Sequence, residues 1–306
     1  MERLVAIVGP TGIGKSRLAL HLSSIFSGEI VSADSRQVYR YLDIGTAKPT
    51  PEELSRIPHH LIDIVNPDEE FSLAQYQKLA FQAIRDIQAR HHLPLLVGGS
   101  GLYVKAVLEN WQIPRVPPDA KFRYNIGEIA TGGGGDELYE KLREIDPAAA
   151  RKIDKRNVRR IIRALEVYAD SGKPFSQLGK KRPSRFRSFV IGLTTDRSSL
   201  YSIVDRRVDN MFARGLVPEV EKLLKMGYDF SLPAMSGIGY RQVGQYLSGE
   251  LSLDEARHRI KIETHRFIRH QYAWFRLRDE TINWFDIGHQ VDAEIEEAIR
   301  RFLKSE

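Results

Sequence analysis

The sequence predicts an α/β fold, a P-loop doubly wound parallel sheet with an inserted helical domain, and three observations carry that prediction. An apolar run at residues 4–8 leads directly into a glycine loop and a helical pattern. Further β-rich runs at 29–34, 93–97 and 189–193 are separated by stretches of helical period. A segment dense in Arg and Lys interrupts the alternation.

Taken in order, the first run, Leu-Val-Ala-Ile-Val, has no polar position, as expected of a strand covered on both faces. The helix after the glycine loop carries Leu18, Leu20, Leu22 and Ile25 roughly on one side. A second strand over 29–34 and a third over 93–97, ending in Gly98 and Gly99, flank a helical stretch at 73–90. In such sheets ligands bind at the carboxyl ends of the strands. From Pro114 the texture changes. Pro117 and Pro118 punctuate the chain, Gly132 to Gly135 form a turn or loop, and basic helical periodicity follows. The expected organisation is a P-loop catalytic domain of residues 1–113 and 188–306 holding a helical insertion of residues 114–187. Helical patterns at 200–226 and 253–277 complete the resumed domain.

Composition narrows the class. The 306 residues carry a net charge of +6 with 42% hydrophobic and 28% charged residues, an ordinary globular balance that excludes disordered, collagen-like and coiled-coil chains. The lack of cysteine excludes disulfides, a Cys-type zinc site and a thiol nucleophile. Without a signal segment or an apolar run of membrane-spanning length, the expectation is a cytoplasmic protein away from membranes, and a monomer. Residues 114–187 hold 18 basic and 10 acidic side chains, so the rest of the chain is slightly acidic. That concentration suits a polyanion such as nucleic acid, and equally a solvated helical surface. His59–His60 and His91–His92 are adjacent pairs, not ligand-spaced ones.

Gly9-Pro10-Thr11-Gly12-Ile13-Gly14-Lys15-Ser16 fits G-x-x-x-x-G-K-[S/T] between a strand and a helix. Backbone N–H groups and the helix N-terminus attract phosphate, Lys15 adds a cation, and the Ser16 hydroxyl can ligate Mg²⁺. The third strand ends without the acidic residue of a P-loop motor, and Asp196 is a weak substitute, which favours group transfer. Asp34 falls at the carboxyl edge beside this loop, placed to act as a general base, to hold Mg²⁺ through water, or to cap a turn over Ser35 and Arg36.

Beyond the P-loop, the strings D-S-R-Q-V-Y-R-Y-L-D-I-G-T-A-K-P from Asp34, H-H-L-I-D from His59, L-V-G-G-S-G-L-Y from Leu96, R-I-I-R-A-L-E-V-Y from Arg160 and G-I-G-Y-R-Q from Gly237 occur in order. Together they resemble the bacterial tRNA dimethylallyltransferase family over nearly the whole chain. The resemblance implies transfer of a dimethylallyl group from dimethylallyl diphosphate to N6 of the adenosine 3′ of the anticodon. It implies that the P-loop and Arg207 hold the diphosphate with Mg²⁺ and that Asp34 accepts the N6 proton. Ser35, Arg36, Gln37 and Ser100 would contact the adenosine. Arg123, the segment Arg159, Arg160, Ile161, Ile162 and Arg163, and the loop Ser236, Gly237, Ile238, Gly239, Tyr240 and Arg241 would touch the tRNA anticodon stem-loop.

Two basic stretches bear on this. Residues 151–163 hold seven basic side chains and one acid, too many charges to bury, and suit either phosphate contacts or a solvated face. Residues 257–278 interleave seven basic residues with Phe267, Tyr272, Trp274 and Phe275. At helical spacing Phe267, Trp274 and Phe275 read as core in preference to base-stacking groups. Here His265 and His270 stand where the family usually has arginine. Rival readings are prenylation of free adenine nucleotides, a small-molecule kinase, or an RNA-binding module without chemistry.

Overall fold

The protein was analysed as a computed structural model, which describes residues 2–114, 116, 119, 122–124, 126, 134–178 and 181–305. Pro117, Pro118, Gly132 and Gly133, read above as punctuation, lie outside the described residues. The chain forms two compact units, Met1–Leu108 with Ser184–Glu306, and Glu109–Pro183.

The first unit is built on six strands: β1 (Glu2–Val8), β2 (Gly28–Ser32), β3 (His59–His60), β4 (Leu93–Val97), β5 (Phe186–Thr194) and β6 (Asn283–Asp286). Their spatial order is β3-β2-β4-β1-β5-β6, and every pairing is parallel. A parallel neighbour requires a crossover, and helices supply it. They include α1 (Lys15–Phe26), α2 (Pro51–Arg56), α3 (Leu73–Ala89) and α4 (Gly101–Leu108).

Alternation along β1 explains the layers. Leu4, Ala6 and Val8 pack on one side with Tyr76, Ile84, Tyr103 and Val104 of α3 and α4. Val5 and Ile7 pack on the other with Leu18 and Leu22 of α1 and with Ile295 and Ile299 of the C-terminal helix. Side chains on a strand point alternately to opposite faces, so an all-apolar strand serves two cores at once.

The edge strands β3 and β6 are absent from the sequence reading. They are two and four residues long and partly polar, too short for a periodic signal. The pattern at 200–226 divides into two helices at Gly215, whose φ of +100° an L side chain rarely adopts. Asp196 caps the first of these helices, accepting hydrogen bonds from Ser199 N and Ser198 Oγ, so its local role is structural.

The second unit packs α5 (Gly135–Ile145), α6 (Pro147–Ala150) and α7 (Val158–Ser171) around Leu138, Leu142, Ile153, Ile161 and Leu165. Two carboxylates are buried among its described residues, Asp146 and Glu166, and Glu166 accepts from Arg123 Nε (2.8 Å), Arg163 Nη1 (2.5 Å) and the Asp119 amide (2.8 Å).

At the amino edge of the sheet, the two histidine pairs prove related. His60 Nε2 and His92 Nδ1 each lie 2.7 Å from the Glu29 carboxylate, which Arg90 Nη2 also meets at 2.7 Å. Burial alone would raise the Glu29 carboxyl, but hydrogen bonds from Arg90, His60 and His92 outweigh it and bring the pKa down to about 2. A depressed carboxylate stabilises the fold above its unfolded pKa and loses that contribution as pH falls through the folded value. Glu29→Gln is therefore expected to be less stable than the parent at pH 7. In urea titrations that difference should close between about pH 4.5 and pH 2.

Candidate active site

Four loops leave the carboxyl edge of the sheet side by side, because β1 lies between β4 and β5, and β4 separates it from β2. The loop after β1 turns sharply. Gly12 has φ +79°, and a Cβ there would sit 2.6 Å from Val204 Cγ1 on helix α8 (Arg197–Ala213, the helix after β5) once that helix is counted with α1 to α7. Only a glycine lets the loop lie this close to α8, and that packing brings Arg207, one turn further along, to the same edge.

Lys15 opens α1 and folds back over the loop, its Nζ donating to the carbonyls of Gly9 (3.0 Å) and Pro10 (2.8 Å). Burial pushes its ammonium down to about 7; the negative charge of Asp34 opposes that shift and the positive charge of Arg207 adds to it. Arg207 is likewise shifted down, chiefly by burial, with Asp34 opposing and Arg214 adding. Two cations and one carboxylate thus interact at a single half-buried site. Gly14, at the α1 N-cap with φ +95°, leaves the first-turn amides free of any side-chain cap, and Ser16 is exposed in that turn.

Asp34 is half-buried, and its Oδ1 accepts the Arg36 amide at 2.8 Å, so the turn-capping contact is formed. Its Oδ2 accepts no hydrogen bond from the described residues. The neighbouring loops are stitched together: Ser100 Oγ accepts the Ser35 amide at 3.0 Å, and the Ser100 amide reaches Ala33 O at 3.2 Å. Behind Asp34, Tyr76 and Tyr103 stack at 3.8 Å between centroids. Burial raises the Tyr103 phenol, and Tyr39 and Asp34 raise it further against the opposing charge of Arg36.

Several side chains named from the sequence are engaged with the protein itself. Arg36 Nη1 donates to Pro233 O (2.7 Å) and its Nη2 to Ser236 Oγ (3.4 Å), tying the Asp34 loop to the 236–241 loop. Gln37 Nε2 donates to Thr46 O and Ala47 O, both at 3.2 Å. In the 236–241 loop Ser236 and Arg241 are exposed and Ile238 is half-buried, whereas Gly237 and Gly239 are covered. Tyr240 is 1% exposed and its hydroxyl donates to Glu219 Oε1 at 2.7 Å, so this side chain belongs to the core. The same Glu219 accepts the amides of Asp43, Ile44 and Gly45, which fixes the loop that follows Asp34.

In the helical unit, Ile161 is wholly buried and Ile162 half-buried, so the hydrophobic positions of that segment face inward. Arg163 and Arg123 are held by Glu166, while Arg159 and Arg160 are exposed.

The reading of the aromatic stretch as core needs correction. On α11 (Leu253–Trp274, with the two helices Leu216–Lys225 and Tyr240–Leu247 counted as α9 and α10), Phe267 and Trp274 are 41% and 38% exposed, and only Phe275 is buried. The buried stripe is Ala256, Ile260, Ile268 and Gln271, and Phe267 is turned away from it. Trp274 lies over the bare backbone of Gly101, where a Cβ would overlap its ring. His265 does not stand free: its Nε2 is 2.8 Å from Asp205 Oδ1 and its ring stacks on Tyr201 at 3.9 Å. Sequence reasoning gave no role to Gln271, whose Oε1 accepts the Thr11 amide at 2.8 Å and whose Nε2 donates to Gly99 O at 3.1 Å.

Among the described residues no group of three or more His, Asp and Glu is arranged to hold a metal ion, and no helix is long and apolar enough to cross a membrane. For Mg²⁺, which keeps several waters and takes few protein ligands, the exposed Ser16 hydroxyl at the mouth of the glycine loop is a suitable donor.

The chain was then compared with known proteins. Residues 37–278 match the family model described as IPP transferase. A tRNA dimethylallyltransferase of Roseiflexus castenholzii is 55% identical over 276 residues, covering 90% of each chain. The crystal structure of a tRNA isopentenylpyrophosphate transferase from Bacillus halodurans superposes with TM-score 0.72 at 40% identity, covering 99% of this chain and 96% of that one. A eukaryotic dimethylallyltransferase acting on tRNA gives TM-score 0.81 at 26% identity, covering 98% of this chain and 78% of that one. A family match over most of the sequence, together with majority identity to one relative across nine-tenths of both chains, establishes that this chain belongs to the IPP transferase family.

Proposed function

We propose that the protein transfers a dimethylallyl group from dimethylallyl diphosphate to N6 of the adenosine 3′ of the anticodon in tRNA, releasing diphosphate. The observation that carries this reading is the mutual electrostatic influence of Lys15, Asp34 and Arg207 at the edge where the glycine loop opens. A cradle of amides with two cations suits a diphosphate leaving group, and a carboxylate with one unengaged oxygen suits an amine.

The reaction forms the N6–C1 bond and breaks the C1–O bond, whose electron pair leaves on the diphosphate. Lys15, Arg207 and the amides of residues 12–16 stabilise that developing charge. Asp34 takes the proton that N6 sheds. Ser16 would hold Mg²⁺ against the diphosphate, and the ion would supply further charge neutralisation. Ser35 and Ser100 offer hydroxyls to the base, and the Arg36 and Gln37 side chains keep the loop carrying Asp34 in shape. A base in an anticodon loop must be turned out of its stack to reach this edge. On the RNA side, exposed Arg159 and Arg160 suit phosphate, and exposed Phe267 and Trp274 between Arg266 and Arg276 suit unstacked bases. On this reading the protein acts in the cytoplasm as a monomer.

The deciding assay supplies labelled dimethylallyl diphosphate with tRNA or with free adenine nucleotides. Label should enter tRNA with one diphosphate released per transfer; label in nucleotides alone would overturn the reading. Asp34→Ala is expected to lower kcat by about 10²–10⁴-fold with tRNA affinity little changed. Loss of tRNA binding with turnover intact would refute the base assignment. Because the free enzyme holds Lys15 at about 7, donor binding should draw in a proton above that pH, so affinity for dimethylallyl diphosphate should weaken as pH rises beyond 7. Calorimetry in buffers of different ionisation heat would read the proton uptake, and Lys15→Ala should abolish it. Replacing Arg159 or Arg160 by Ala should lower the salt slope of tRNA binding by about 1 each.

A further inference from the structure

Gln271 is the polar member of an otherwise apolar stripe. On α11, Ala256, Ile260 and Ile268 are buried beside it, and its own side chain is 3% exposed. A buried amide costs stability unless both its oxygen and its nitrogen find partners. Both do, and the partners fix its orientation, since the Thr11 N–H can only donate and the Gly99 carbonyl can only accept. Gly99 makes room for the contact, because a Cβ there would overlap the Gln271 amide nitrogen.

The two partners belong to different halves of the site. Thr11 lies in the glycine loop, after Pro10, which has no N–H. Gly99 precedes Ser100, whose hydroxyl accepts the Ser35 amide next to Asp34. One side chain therefore spans from the phosphate cradle to the loop that supports the carboxylate. In the free protein Lys15 also braces the cradle through Gly9 O and Pro10 O. The ammonium has three N–H donors and spends two on these carbonyls, so an anion that draws more than the third takes donors away from the cradle, whereas the Gln271 contact to Thr11 need not change.

We propose that Gln271 is a positioning residue: it keeps the donor cradle in its open shape and in register with the Asp34 loop when Lys15 leaves the carbonyls for the diphosphate. The inference rests on the reading of the glycine loop as the diphosphate site. It assigns α11 two roles, an outer face toward RNA and an inner amide toward the donor.

The test compares Gln271→Met, Gln271→Glu, Gly99→Ala and Lys15→Ala with the parent in steady-state transfer assays. Gln271→Met fills the same space without either hydrogen bond and should raise the KM for dimethylallyl diphosphate about tenfold or more, the loss of one to two hydrogen bonds. KM for tRNA should stay within about twofold. Gly99→Ala, which displaces the amide while leaving Gln271 in the sequence, should do the same. Gln271→Glu offers a pH readout. Its protonated carboxyl can accept from Thr11 N and donate to Gly99 O as the amide does, so the ratio of its donor KM to the parent's should be near one at low pH and climb as the carboxyl ionises. A flat ratio would overturn the proposal, including where Gln271→Met does not fold. So would a parallel rise in both KM values with a lowered Tm, the mark of a purely structural role. If Lys15→Ala raises the donor KM and the Gln271 variants do not, the positioning role fails while the diphosphate site stands. If Lys15→Ala leaves it unchanged, the diphosphate site itself fails, and this inference with it.

Discussion

Two cations within electrostatic reach of one carboxylate, at the carboxyl edge of a parallel sheet, set the terms for the candidate site. Lys15 and Arg207 repel one another and both are pushed toward neutrality by burial, while Asp34 opposes that push on each. Such an arrangement suits an anion, because burial has removed the water that would otherwise stabilise the two positive charges. The rest of the unit holds those three groups in place, and among the described residues none of them is neutralised by a direct ion pair.

That holding is done largely by backbone. Asp34 is fixed by the Arg36 amide, Ser35 by Ser100, and the succeeding loop by Glu219, which takes three consecutive amides and the Tyr240 hydroxyl. Lys48, buried nearby, bonds Tyr39 O, Asp43 and Asp63, closing the same loop from the other side. Charged side chains that satisfy several groups at once are costly to remove, and Lys48 is the buried polar residue between Asp34 and Asp63 that does so. The arginines of the helical unit divide in the same way: Arg123 and Arg163 meet a buried Glu166, and Arg159 and Arg160 face solvent. Basic residues in one string thus do different work, and the count of charges does not distinguish them.

Helix α11 shows how far a pattern can mislead. Its aromatics recur at spacings that suit a buried face, yet the burial stripe runs through Ala256, Ile260, Ile268 and Gln271, and Phe267 and Trp274 lie outside it. The helix packs on α8, α10 and α4 and buries only a narrow stripe against them, so large apolar residues beside that stripe remain accessible.

By itself the sequence determined the strands that carry an unbroken apolar run, the glycine loop in its strand-to-helix setting, and the position of Asp34 at a strand end. Each is a local signal: periodicity over a few residues, or a turn that only glycine accommodates. The family strings added the chemistry, since they occur nowhere in composition or period. Tertiary structure alone decided the rest. The short edge strands β3 and β6 form because longer neighbours offer them a ladder. His60 and His92, more than thirty residues apart, converge on Glu29 because β2 lies between β3 and β4. Gln271 reaches Thr11 across 260 positions of chain. Contacts of that kind depend on where the sheet order places each strand end, and no window along the chain contains that order.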